Sequence, residues 1–572
     1  MPLIASEMRG KKIVFLLVIE WAGKEYLLST KPIVLSSSRG DLNFKGGLVN
    51  DPDITLDLGD LGFNVDGNST AIAAQIDGVN VAKEILRGNA LQNSKGALYY
   101  VFEDLKSIQS FDDASPIIAG KIKQPVYGHI DMAKGYVEFS IEAPSFNGDL
   151  YAFVSNGTGQ IEAIDYSDIV NPLDSPFASQ FGIGTTIIDV PEAHLGKRVP
   201  IIIGTGGVSI DAFGAQFRYA FSPCYVLGVN TSGDNKIWLA IASHYVDCSS
   251  VYIFDKLGDL LPTPVLHWVR RDGSIFAYVT FDLKAGGINL LQNIVEDSSA
   301  EYYVQFESDS GGLISSIKPS FISGGGELCI EFLKLGNAEI DFAEWLSLEP
   351  VLNKYKFGGY INQDDITPLE FLENEIIPFL PISVIHGPNG LKPVLNFLYS
   401  GSSLLTKYEI NSDSDFYQNG PVQTMTDSSD IINHFTLQYQ FNPSQNKYVS
   451  VMRLGSFKDN YTNQFSNLYA KLSQQKYGIN KSEELSNYIH DETTAALVCA
   501  DKIRFNSGSL KAIVYIANVK YGYIDLGDIL LLNDQNLFDE PRKVQVIRKE
   551  FNGTNWLFTI KVEEDLINDF IS

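Results

Sequence analysis

The segment GYVEFSIEA (135–143) alternates without a break. Val137, Phe139 and Ile141 fall on one side, and Glu138, Ser140 and Glu142 on the other. A period of two marks a strand with one face in a core and one in water, the usual setting of antiparallel sheet. Similar runs occur at KIWLAIASH (236–244), SVYIFD (250–255), SIFAYVTFDL (274–283), EYYVQFES (301–308), ELCIEFLKL (327–335) and TLQYQFNP (436–443). Clusters of Gly, Asn, Asp, Ser and Pro separate them at short spacing. The predicted fold class is mainly β with a few helices (α+β).

Helix signals are few and late. In TPLEFLENEII (367–377), Thr367 is the N-cap, Pro368 the first helical residue, and Glu370 completes a capping box. A second helix is expected over 341–355, broken or kinked at Pro350, and a third over 491–505 with Asp491 as its cap. Near the end, KVQVIRKEF (543–551), Asn552-Gly553 and TNWLFTIKV (554–562) predict a hairpin with a two-residue type I′ turn.

With 572 residues, about 150 residues per domain suggests three to five domains. Gly/Ser/Asn-rich stretches place the cuts near 150, 310 and 410. The result is an N-terminal β domain (1–150), a second β domain (151–310), a mixed α+β domain (311–410) and a C-terminal α+β domain (411–572) ending in a barrel-like hairpin.

Lys and Arg number 43 against 69 Asp and Glu, a net charge of −26. Phosphate neutralisation needs basic patches, so a general nucleic-acid binder and a protein docking on anionic lipid are both disfavoured. An acidic wall past which DNA slides without sticking remains compatible. Cys224, Cys248, Cys329 and Cys499 are widely spaced and read as isolated thiols, with neither disulfide framework nor zinc spacing. The run IVFLLVI (13–19) is too short for a span. It is followed by Glu20 and no cleavage site, so it reads as a first buried strand rather than a leader.

Candidate chemistry is sparse. IIIGTGGVSI (201–210) resembles a phosphate loop in its glycines. It lacks the lysine and the following helix of one, so a turn or bulge is expected. SGGGE (323–327) reads as another turn. HYVDC (244–248) gathers His244, Asp247 and Cys248, but on a strand its ends lie about 13 Å apart. His129, His386 and His490 stand alone as turn or cap residues. In YIDLGDILLLND (523–534), Asp525 and Asp528 could be an acid pair. The reading adopted is a turn: Gly527 supplies the backbone freedom between strands at 511–525 and 528–533, and the two aspartates accept turn N–H groups. Ile529–Leu532 would then be a strand buried on both faces. No catalytic, cofactor-binding or metal-ligating residue is assigned.

The order of elements near the C-terminus is informative: the helix YIHDETTAALVCADKI (488–503), the strand KAIVYIANV (511–519), the LGD unit, a polar loop, then KVQVIRKEF-NG-TNWLFTIKV. This order resembles the C-terminal part of phage tail hub (baseplate hub, tail-associated structural) proteins. Segments 31–58, 198–228 and 342–383 resemble other parts of that family. The resemblance implies small β-barrel or sandwich domains, two per subunit, in a homotrimer at the distal end of the tail tube. Its partners would be tube, tape-measure and fibre or spike proteins, with DNA passing through a channel unbound. It implies a virion tail-tip location after assembly in the host cytoplasm. Some hubs carry a fused peptidoglycan hydrolase; with no segment past the last strand, none is expected here. The alternatives are a tail-tip carbohydrate or receptor binder and a carboxylate-dependent cell-wall glycan hydrolase.

Overall fold

The computed structural model describes residues 13–49, 51–57, 63–64, 68–102, 111, 117–127, 135–142, 187–188, 192–211, 213–230, 236–244, 246, 250–261, 264–271, 274–282, 301–307, 322–364, 366–387, 389–399, 406–427, 429–455, 464–465, 467–552, 554–564 and 566. Its largest sheet has sixteen strands and draws on both ends of the chain. From the N-terminal side come Ile13–Trp21, Lys24–Ser29, Lys95–Phe102, Ile118–Tyr127, Tyr136–Glu142, Asn68–Ala73 and Asp53–Asp57. From the C-terminal side come Arg542–Phe551, Trp556–Glu563, Leu510–Ala517 and Ile529–Asn533. The two sets join where Asp57, Leu56 and Thr55 pair antiparallel with Arg548, Lys549 and Glu550.

The alternation at 135–143 holds. Val137, Phe139 and Ile141 are buried, and Glu138 is exposed. They belong to a core shared by both ends of the chain, with Phe15, Leu17, Tyr515, Trp556 and Phe558. The rings of Phe15 and Phe551 meet edge-on at 5.2 Å across the join. The run at 13–19 is the first buried strand, Ile13–Trp21.

Two further large cores lie among the described residues. A seven-stranded sheet holds Ser222–Asn230, Lys236–Ala242, Val251–Asp255, Ser274–Asp282 and Tyr302–Phe306, around Val226, Leu239, Ile253 and Val304. The other core packs helices Gly325–Leu335, Phe342–Leu352 and Glu492–Asn506 with the strands His434–Asn442 and Lys447–Leu454.

Two helix caps follow the sequence: Thr367 and Glu370 form the capping box, and Asp491 caps the helix Glu492–Asn506. Asp341 caps the helix Phe342–Leu352. Pro350 lies inside the helix Phe342–Leu352. After four residues, Pro368–Phe371 passes into a π turn (Leu372–Ile376) and a 3₁₀ turn (Ile377–Phe379).

Four expectations are corrected. ELCIEFLKL is not a strand but the body of the helix Gly325–Leu335, and SGGGE is not a turn but leads into that helix's first turn. Glu327, Glu331 and Lys334 fall at i, i+4 and i+7, a helical spacing that the run of β-like apolar residues between them masked; residues 325–333, both glutamates included, are buried. A Cβ on Gly326 would lie 3.1 Å from the Glu349 backbone, so the glycine lets the two helices touch. The terminal hairpin does not turn in two residues. Phe551 pairs with Trp556, and Asn552 Oδ1 accepts the N–H groups of Thr554 (3.1 Å) and Asn555 (2.8 Å), which favours a longer loop over 552–555. The strand expected over 511–525 ends at Ala517, where Asn518 caps a 3₁₀ turn, Val519–Tyr523.

Asp501, on the helix Glu492–Asn506, accepts the Tyr355 hydroxyl, and burial raises its pKa to about 6. A raised carboxyl pKa favours the protonated folded form. Stability is therefore greatest below about pH 4 and falls as pH rises to about 6. Asp501→Asn keeps the acceptor and removes the charge. It should stabilise the protein by about 1–2 kcal/mol at pH 7.5 and leave it unchanged at pH 4, read as thermal midpoints at the two pH values.

Candidate functional site

The LGD corner is where three distant parts of the chain meet. Gly527 has φ +81°, and an added Cβ would lie 2.5 Å from Val394 Cγ1, on the strand Gly390–Leu395. Only glycine meets both demands. Five residues earlier, a Cβ on Gly522 would lie 2.5 Å from the Tyr100 hydroxyl, which belongs to the N-terminal strand Lys95–Phe102.

The two aspartates bind the turn as expected. Asp528 Oδ2 accepts the Asp525 N–H at 2.8 Å, and Asp525 Oδ1 accepts the Leu526 N–H at 2.9 Å. The sequence did not point to their cationic partners. Lys392 Nζ donates to Asp525 Oδ2 at 2.6 Å, and Lys407 Nζ to Asp528 Oδ1 at 3.0 Å. A third lysine, Lys549, is buried. Its Nζ donates to the Gly522 carbonyl at 2.8 Å and lies 4.7 Å from the centre of the Trp556 ring. Lys549 lies 21 residues from Asp528, Lys407 121 from Asp528 and Lys392 133 from Asp525, so no local spacing reveals them.

The surroundings shift the two acids in opposite directions. Burial opposes ionisation of Asp525, but Lys392 and Lys549 outweigh it and hold its pKa at about 2. At Asp528 burial prevails over the half-exposed Lys407, and the pKa rises. Burial pushes Lys549 down, partly offset by the same two carboxylates. The cluster ties a turn to two neighbouring segments. Both carboxylates are engaged by backbone and lysine, so neither is poised for proton transfer to a substrate.

The other candidates fall elsewhere. His244 is buried and its Nε2 accepts the Ile202 N–H at 3.0 Å; Asp247 and Cys248 lie outside the described residues, as does His129. His386 is not in a turn but within the strand Ile382–Gly387, where burial lowers its pKa to about 4. The glycines of 204–207 connect the strands Ile201–Ile203 and Val208–Ile210. Cys224, Cys329 and Cys499 are buried thiols whose pKa burial raises, away from thiolate reactivity. Among the described residues no group of three His, Cys, Asp or Glu is placed to hold a metal, and no helix is long and apolar enough to cross a membrane.

The corner distinguishes its two acids. Asp525→Asn leaves the buried Lys392 without a counter-charge and should destabilise by about 3 kcal/mol at neutral pH. Because the folded pKa is depressed, this contribution is present above about pH 4 and lost as pH falls through about 2. Asp528→Asn keeps an acceptor for the Asp525 N–H and loses a half-exposed ion pair, so its effect should stay within about 1 kcal/mol. Gly527→Val should abolish folding or leave insoluble protein. Denaturant midpoints at pH 7 and pH 3 check all three variants.

No family model and no curated protein matches the sequence. Among solved structures, the chain is similar to the 43 kDa tail protein of prophage MuSo2 from Shewanella oneidensis, at 9% identity over 96% of this chain and 98% of that one, with a TM-score of 0.33. It is also similar to a tail protein from Neisseria meningitidis MC58, at 9% identity over 64% and 97%, TM-score 0.25. A third is prophage tail protein gp18 from Listeria monocytogenes EGD-e, at 10% identity over 63% and 95%, TM-score 0.22.

Proposed function

We propose that this chain is a structural protein of a phage tail, a hub at the distal end of the tail tube that works by assembly rather than catalysis. The observation that carries this reading is the joining of the two ends of the chain. Strands from 13–142 and from 408–563 join in one sixteen-stranded sheet around a shared core, fastened by the Asp53–Asp57 ladder. The sequence resemblance implies two small β units per subunit, and a sheet that draws one set of strands from each end of the chain supports that reading. Three copies around an axis would present six units to a sixfold tube.

The charge of −26 supports the same reading. A channel crossed by DNA must not hold phosphate, and an acidic wall repels it. The neighbours in this reading are tube, tape-measure and fibre or spike proteins, and the place of action is the virion tail tip. The state of the acids disfavours the hydrolase alternative, because Asp525 and Asp528 are bound to lysines and turn amides.

Sedimentation of the purified chain tests the proposal. The expected species has three times the 63.2 kDa chain mass and persists on dilution. A monomer at every concentration would sink the hub reading.

A further inference from the structure

A groove of about 510 Å³ lies between the helix Glu492–Asn506 and the sixteen-stranded sheet. That volume is in the range of small-molecule sites. The helix lines it with Val498, Asp501 and Phe505, and the strand Arg542–Phe551 with Gln545 and Ile547. Phe379 and Val394 add further apolar wall. Among its large apolar residues only Met425 is exposed, at 47%. The groove therefore has no broad apolar rim on which a protein surface would rest.

The charge on its lining is unbalanced. Asp501 Oδ2 accepts the Tyr355 hydroxyl, and no cation among the described residues offsets its burial. Its pKa of about 6 makes it a carboxylate at neutral pH with a phenol for its partner. Tyr399 is a second phenol that feels its charge. Lys502, the next residue of the helix, donates instead to Glu484 at 2.8 Å. Lys561 also lines the groove, with its Nζ 5.8 Å from the centre of the Phe397 ring, and the exposed Asp430 lies on the same lining. Counting Glu484 against Lys502 and Asp430 against Lys561 leaves the Asp501 charge unmatched.

The sheet supplies a second acceptor. Gln545 is 2% exposed, and its Nε2 donates to the Leu395 carbonyl at 3.0 Å and the Gly527 carbonyl at 3.1 Å. With both amide hydrogens engaged, Oε1 is left as an acceptor open to the groove. A largely buried carboxylate without a counter-charge favours a ligand that brings one, and the amide oxygen favours a donor.

We infer that this groove binds a small organic cation, an ammonium or guanidinium carried on an apolar body. Its charge pairs with Asp501, its N–H groups serve the two acceptors, and its body packs on Phe379 and Phe505. The site does not rest on the assembly reading, because every group in it belongs to one chain.

Isothermal titration of the full chain with phenethylamine and agmatine tests it. The neutral and anionic matches are 2-phenylethanol and 3-phenylpropionate, and capped Lys and Arg tripeptides carry the same cations on a protein backbone. At pH 7.5 at least one amine should bind, about tenfold or more tightly than the neutral and anionic matches. From pH 7.5 to pH 5 its affinity should fall about tenfold, because Asp501 gains a proton while the amine stays charged. Asp501→Asn should cost tenfold or more in affinity at pH 7.5 while its thermal midpoint stays at or above that of wild type; a loss of binding through misfolding would lower the midpoint. The inference is overturned if neither amine binds, if a neutral or anionic match binds as well, if affinity is the same at pH 5, or if Asp501→Asn binds as wild type does. Tripeptides that bind more tightly than the free amines would overturn it too, by making the groove a protein-docking site.

Discussion

The buried ammonium of Lys549 is the constraint on which the joined sheet depends. Lys549 sits in the strand that pairs with the N-terminal strand Asp53–Asp57, directly opposite Leu56. Bringing chain ends together over so long a separation adds little for its length, since each doubling of a loop costs about 0.6 kcal/mol. The harder problem is register. A slip of one residue would turn every side chain of Arg542–Phe551 to the other face. A slip of two would draw the ammonium off the Gly522 carbonyl and away from Asp525. An apolar residue would tolerate either shift far better than a buried charge does.

That ammonium also explains the glycines around it. Lys549 reaches the Gly522 carbonyl, and Gly522 has no side chain because the Tyr100 hydroxyl occupies that space. Gly527 turns the chain at φ +81° against Val394. The corner thus contacts the N-terminal unit through Tyr100 and the middle of the chain through Lys392 and Val394. A motif that looked like an acid pair is the fastening of three segments.

What could be read from the sequence follows from what is local. Alternation gave the strand Tyr136–Glu142, and capping chemistry gave Thr367 and Asp491, because those signals lie within a few residues. ELCIEFLKL misled because its β-like apolar residues outweighed the i, i+4, i+7 spacing of Glu327, Glu331 and Lys334. The LGD turn was legible from Gly527 and its flanking aspartates, but Lys392, Lys407 and Lys549 were not, since only the fold brings them there. The groove was invisible for the same reason: Phe379, Val394, Asp501 and Gln545 come from four separate segments. The glycine-rich loop 204–207 alone read as a turn or bulge.

The central claim is that paired β units from one chain build a ring around a channel. A cryo-electron microscopy reconstruction of the purified protein tests it most directly. The account predicts a threefold ring with six β units around an open, acid-lined lumen. A particle with one copy, or a closed assembly with no lumen, would contradict it.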